Sequence, residues 1–180
     1  MARAKLNDGS GKLDELKVIF RQEGPPSSAN HHGCRIAQAN DGNLFVTLGE
    51  HYSHRDDAQN LGNHLGKLIR ITPDGAAPPD NPFVGRDGAR PEIWSYGHRN
   101  EQGLAIHPAT GELWEIEHGP GGGDELNLIE PGKNYGWPNV SYGPNYNKVP
   151  IPSPDDHAEY VKPAVQWTPI IAPGNMVFYK

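Results

Sequence analysis

The chain has 180 residues, with 16 Lys+Arg against 22 Asp+Glu and a formal net charge of −6. This acidic balance argues against nucleic acid or an anionic membrane as the main partner. Mean hydropathy is −0.70, no apolar run approaches the roughly 18 residues of a membrane helix, and the single Cys34 excludes an internal disulfide.

The first residues, MARAKLNDGSGKLDE, have no apolar core and do not read as a signal peptide. Strand-like segments then follow in order: KVIF (17–20), NLFVTLG (43–49), KLIRIT (67–72), EIWSYG (92–97), ELWEIE (112–117) and NMVFY (175–179). Each is short, rich in β-branched and aromatic residues, and bounded by turn chemistry such as Asn40-Asp41-Gly42, Pro73-Asp74-Gly75 and Thr110-Gly111. No segment holds helical periodicity for ten residues. The 22 Gly and 18 Pro therefore mark turns rather than disorder, and the expected class is all-β.

Residues 35–50 and 103–119 read as copies of one unit: an apolar strand, a glycine turn, then an apolar strand ending near Gly and an acid. A β-sandwich explains the strand density but not the repeat, whereas strand–turn–strand units recurring at long period are the mark of propeller blades. Closure needs at least about four blades, more than the two clear units here. Residues 1–180 are therefore expected to be a partial propeller domain, truncated at both ends.

Three stretches carry chemistry. In Asn30-His31-His32-Gly33-Cys34-Arg35 the adjacent histidines alternate sides of an extended chain. His51 and His54 add a weak H-x-x-H, without the cysteine pair that would make zinc a good reading. In Trp94–Gly103, Arg99-Asn100 at a strand end offers a fixed cation and an amide to a planar, oxygen-rich ligand. In Glu117–Pro138 a glycine run leads into Asp124-Glu125. A phosphate cradle would want bare N–H groups and a lysine, whereas carboxylates beside turn carbonyls suit a hard cation such as Ca²⁺.

Taken in order, these motifs (His-x-Gly-x-Arg, Leu-Gly-Glu, Gly-Lys-Leu-Ile-Arg-Ile, Ser-Tyr-Gly-His-Arg-Asn-x-Gln-Gly-Leu, Glu-His-Gly-Pro-x-Gly-Gly-Asp-Glu-Leu-Asn, Gly-Lys-Asn-Tyr-Gly-Trp-Pro) closely resemble the soluble, pyrroloquinoline-quinone-dependent sugar dehydrogenases of the glucose/sorbosone and aldose sugar dehydrogenase family. The resemblance implies a six-bladed propeller in which aldose sugars are oxidised at C1 to lactones by hydride transfer to the quinone. His31 would be the general base, Glu50 would orient it, and Arg99 would polarise the quinone. Asn100 would bind the cofactor and Asn30 the substrate. Gly119 and Pro120 would offer carbonyls to a Ca²⁺ at the quinone, with Glu125 and Tyr135 at a second, structural calcium. An external electron acceptor, a periplasmic or secreted location and a possible homodimer also follow from the resemblance. Cys34 and Glu101 stand where glycine and proline are common. Two other classes share such a scaffold, a non-catalytic calcium-stabilised binding module and a calcium-dependent lactone hydrolase. The joint presence of His31, Glu50, Arg99 and Asn100 favours the dehydrogenase.

Overall fold

The computed structural model describes residues 1–24 and 28–179. Among these, regular structure consists of ten strands and two short 3₁₀ turns, Arg55–Gln59 and Pro154–Asp156. Strands β1 (Ala2–Asn7) and β2 (Lys12–Val18) form a hairpin that is exposed along nearly its whole length. Strands β3 (Ile36–Gln38), β4 (Leu44–Leu48), β5 (Lys67–Ile71) and β6 (Ile93–Tyr96) pair in chain order as one antiparallel sheet. Strands β7 (Glu101–Ile106), β8 (Leu113–Glu117), β9 (Asp124–Ile129) and β10 (Val165–Trp167) do the same in a second.

The two sheets are the repeat seen in the sequence. The β3–β4 and β7–β8 turns place Gly42 and Gly111 at φ 85° and 76°. Their N–H groups bond back to Ala39 and His107. Strands β4 and β5 are buried on both faces, so they read as near-continuous apolar runs. Phe45 and Leu68 point toward Leu104, Leu113 and Ile129 of the second sheet and Tyr135 in the connection after β9. Val46, Leu48, Ile69 and Ile71 point the other way, onto Phe20. Burial of apolar surface thus packs β7 against β3 and β4, and this brings the ends of the two sheets together.

Three expectations need correction. The strand expected at 17–20 lies earlier, at Lys12–Val18; Ile19 and Phe20 are the buried residues that follow it. Residues 175–179 form no strand: they pair with none of the described strands, Asn175 and Met176 instead packing against Gly103 of β7, and Val177 and Tyr179 are exposed. Asp124 and Glu125, expected in a loop, are the first two residues of β9.

Arg70 on β5 ties the first sheet's turns together. It donates to Asp41 Oδ2 (2.7 Å) and Asp80 Oδ1 (2.9 Å) and lies 5.1 Å from the centre of the Trp94 ring. The Arg70 hydrogen bond, with Asn43, holds the Asp41 carboxyl down at about 2. A depressed folded pKa contributes stability that is present above the unfolded value and lost as pH falls through the folded one. Asp41 is about half exposed, so after screening the contribution is under about 1 kcal/mol. Urea unfolding should show Asp41→Asn less stable than the parent at pH 6, with the difference gone near pH 2. A difference unchanged by acid would refute the assignment.

Candidate active site

The segment 30–34 lies over the end of β4. His31 takes a left-handed backbone (φ 58°), as does Cys34 (φ 73°), a conformation in which glycine meets less strain. The His31 carbonyl accepts from the His51 N–H at 3.1 Å and sits so close to Gly49 that a Cβ there would lie 2.1 Å from it. Gly49 is therefore what lets the segment close down. The closure sets His31 Nδ1 2.8 Å from Glu50 Oε1, whose residue is fully buried. With Nδ1–H donated to the carboxylate, Nε2 is the nitrogen left to accept a proton.

The Glu50 N–H also donates to the carbonyl of Arg99 (3.1 Å), in the connection that leads into the second sheet. One residue thus joins the histidine to the turn between β6 and β7. In that turn Arg99 donates to the His118 carbonyl (2.9 Å) and to the Tyr146 hydroxyl (3.0 Å). Its guanidinium lies 5.2 Å from the Trp137 ring centre and 5.7 Å from that of Tyr146, while its buried Nε has no partner among the described residues. The turn itself is held by Glu117 on β8, whose Oε2 accepts the N–H groups of both Arg99 (2.6 Å) and Asn100 (3.2 Å).

The glycine-lined loop then comes into place. Gly119 folds against its own loop so tightly that a Cβ would meet Gly122 O at 2.1 Å and Gly123 O at 2.2 Å. Asp124 is the latch: Oδ1 accepts from Gly119 N (2.9 Å), and Oδ2 from Ile171 N (2.8 Å) and Ala172 N (2.7 Å). Three of the roughly four lone-pair sites of its carboxylate are thus taken by backbone N–H groups. Gly119, Pro120, Glu125 and Tyr135 instead line a cavity of about 20 Å³, room for an ion or a water. The carbonyls of Gly119, Pro120 and Tyr135 accept no hydrogen bond among the described residues. The Tyr135 phenol is spent on Leu128 O and Glu130 N. Burial first, then Glu117 opposite, raises the Glu125 carboxyl well above the ordinary range. Free carbonyls around such a carboxyl fit a hard cation, which would reverse that shift.

Two larger clefts open above. One, of about 550 Å³, is lined by Asn30, His31, Asn100, Gln102 and His118; the other, of about 320 Å³, by Arg55, Arg99, Pro120 and Trp137. Tyr52 and Tyr146 line both, so the clefts share a mouth. The unpartnered Arg99 Nε and the flanking aromatic rings fit a planar, carbonyl-bearing cofactor.

Compared with known proteins, residues 1–180 match the model of the family described as Glucose / Sorbosone dehydrogenase. The chain belongs to that family. It is 44% identical over 177 residues to the aldose sugar dehydrogenase YliI of Escherichia coli, covering 97% of this chain and 47% of that protein. Among solved structures, one described as a glucose dehydrogenase aligns with a TM-score of 0.87 at 49% identity, covering 92% of this chain and 48% of the other. The PQQ-bound aldose sugar dehydrogenase from Streptomyces coelicolor aligns at 0.73 and 33%, covering 92% and 45%. The chain spans about half the length of these relatives, and its two sheets are blades of a β-propeller.

For a glucose/sorbosone dehydrogenase chain, the sequence-derived residues fall into two groups. His31, Glu50, Asn30, Arg99 and Asn100 gather at the shared mouth. Gly119, Pro120, Glu125 and Tyr135 gather at the small cavity, which Arg99 also lines. Sequence reasoning missed Glu117 and Tyr146. Glu117 ends an apolar strand and reads as a surface acid, and Tyr146 sits in an unpatterned loop.

Proposed function

We propose that the protein carrying this chain oxidises aldose sugars at C1 to lactones, with pyrroloquinoline quinone and Ca²⁺ as cofactors and an external electron acceptor, in the periplasm or outside the cell. One observation carries this reading: Glu50 touches His31 with its side chain and Arg99 with its backbone, so a base and a cation share one mouth. The PQQ-bound relative supports the choice of cofactor.

When bound, the quinone supplies the acceptor for the C1 hydrogen and its electron pair, and a calcium ion beside it raises that acceptor's electrophilicity. His31 Nε2 takes the proton of the C1 hydroxyl. Glu50, buried against Nδ1, holds the ring and stabilises its cationic form. Arg99 stabilises negative charge developing on the acceptor, from a position fixed by Glu117 before the reaction begins. Asn100 holds the cofactor and Asn30 the sugar. The Gly119 and Pro120 carbonyls would offer themselves to an ion on the side of the larger cleft that Pro120 also lines, while Glu125 and the Tyr135 carbonyl would hold a second, structural one in the small cavity.

Titration of the complete protein with pyrroloquinoline quinone should give binding that requires Ca²⁺ and that weakens by about 10- to 100-fold in Arg99→Ala, the cost of losing charge-assisted hydrogen bonds. Dye reduction driven by an aldose should follow. A folded protein that binds no quinone with Ca²⁺ present would leave the reading untenable.

A further inference from the structure

His31 and Glu50 have a counterpart in the second sheet. His98 Nδ1 lies 3.3 Å from Glu117 Oε1, with the same 19-residue separation in sequence and the same pair of atoms. The first pair opens on a cleft, whereas here His98 is fully buried and Glu117, nearly so, reaches only the small cavity. More donors surround the two than a hydrogen-bonded pair needs. Glu115 is fully buried on the same strand, and one donor atom each from His98, Glu115 and Glu117 lies within 4.8 Å of the others. Asn127, also fully buried, donates its Nδ2 to Glu115 Oε2 at 3.1 Å and to Glu117 Oε1 at 3.5 Å.

The site is left incomplete by the protein itself. Glu115 Oε1 and Asn127 Oδ1 are buried without any partner among the described residues, an expensive arrangement for polar atoms. The strand register adds to the imbalance, since Glu101, Glu117 and Glu125 face one another across β7, β8 and β9, and like charges directly opposite repel. The nearby ammonium of Lys67 is already taken up by the carbonyls of Asp57, Ala58 and Leu65.

We propose that His98, Glu115 and Glu117, with Asn127 Oδ1 as a fourth donor, bind a divalent transition-metal ion of the zinc type, apart from the calcium positions around the glycine loop. One imidazole, two carboxylates and an amide oxygen suit Zn²⁺, Co²⁺ or Mn²⁺, whereas calcium takes oxygen donors only. Ligands about 2.0–2.1 Å from a tetrahedral ion stand about 3.4 Å apart, so the donors must draw in by somewhat over 1 Å, with the Asn127 amide turned over. Ser95 Oγ lies 2.8 Å from His98 Nε2 and is the group that would fix the tautomer leaving Nδ1 for the metal. Glu117 also lines the small cavity, which gives the ion a way in. Because Glu117 Oε2 holds the Arg99 and Asn100 N–H groups, an ion on Oε1 would lock the turn that carries both.

The test uses the full chain stripped with chelator, folded by circular dichroism, in excess Ca²⁺ so that oxygen-only sites are filled. Titration with Co²⁺ alone should give one visible d–d band that saturates at one ion per chain and raises Tm. The band should be lost in Glu115→Gln, an isosteric change that keeps the side chain's shape, and in His98→Gln. Ser95→Ala should weaken it by about 10- to 100-fold, and Glu125→Gln should retain it. No saturable band from the folded parent chain would overturn the proposal. So would a band that survives Glu115→Gln and His98→Gln, or one lost in Glu125→Gln, which would return the ion to the loop. None of these readouts depends on quinone binding or on turnover.

Discussion

Replacing His31 with glutamine in the complete protein should lower kcat for aldose oxidation by about 10² to 10⁴-fold, the range for loss of a positioned general base. KM should change little, because glutamine keeps a hydrogen-bonding group at the same place. The stronger test is how Glu50 combines with it. Glu50 meets the imidazole at 2.8 Å and acts through that ring. Glu50→Gln alone should therefore cost less than His31→Gln. The double variant should be no slower than His31→Gln, since residues that act as a unit are not additive. Independent, multiplying losses would show that Glu50 does something other than serve His31. Steady-state rates on the four proteins, with quinone and Ca²⁺ saturating, settle the point.

The sequence disclosed the blades where burial and turn chemistry agreed. Strands β4 and β5 are buried on both faces, and Gly42 and Gly111 close equivalent hairpins. It misled where that agreement fails. Strands β1 and β2 pair with almost no burial, so their polar residues carried no strand signal. Residues 175–179 carry the signal but pair with none of the described strands. Asp124-Glu125 follows three glycines and reads as a turn, yet its pairing with β8 and β10 makes it a strand. The site shows the same division. His31, Glu50, Arg99 and Asn100 each stand in a motif, whereas Glu117's hold on the Arg99–Asn100 turn exists only through the β7–β8 register. The second His–Glu pair was equally hidden, because a 19-residue separation acquires meaning only once the two sheets can be laid over one another.

Asp124 and Glu125 are neighbours of the same charge, and opposite consequences are expected from removing each. Asp124 is almost wholly buried and gathers three N–H groups from two segments of chain. Asp124→Ala leaves these donors without a partner, and because Ile171 and Ala172 are exposed enough for water to replace part of what is lost, the expected cost is about 3 kcal/mol. Since Gly119 is one of the three, the loop carbonyls lose their fixed positions, and Ca²⁺ affinity should fall by about 10- to 100-fold, as for loss of a group that orients metal ligands. Glu125 instead faces Glu117 and is raised by burial and by that neighbour. A carboxyl with a raised folded pKa costs stability as pH climbs from its unfolded value toward the folded one. Glu125→Gln should therefore be at least as stable as the parent in chelator at neutral pH, yet gain less from added Ca²⁺. Urea unfolding of both variants, with and without Ca²⁺, compares the two directly. If Asp124→Ala were as stable as the parent in chelator, Asp124 would not be the latch. If Glu125→Gln gained the parent's full stabilisation from Ca²⁺, its carboxylate would not be a ligand.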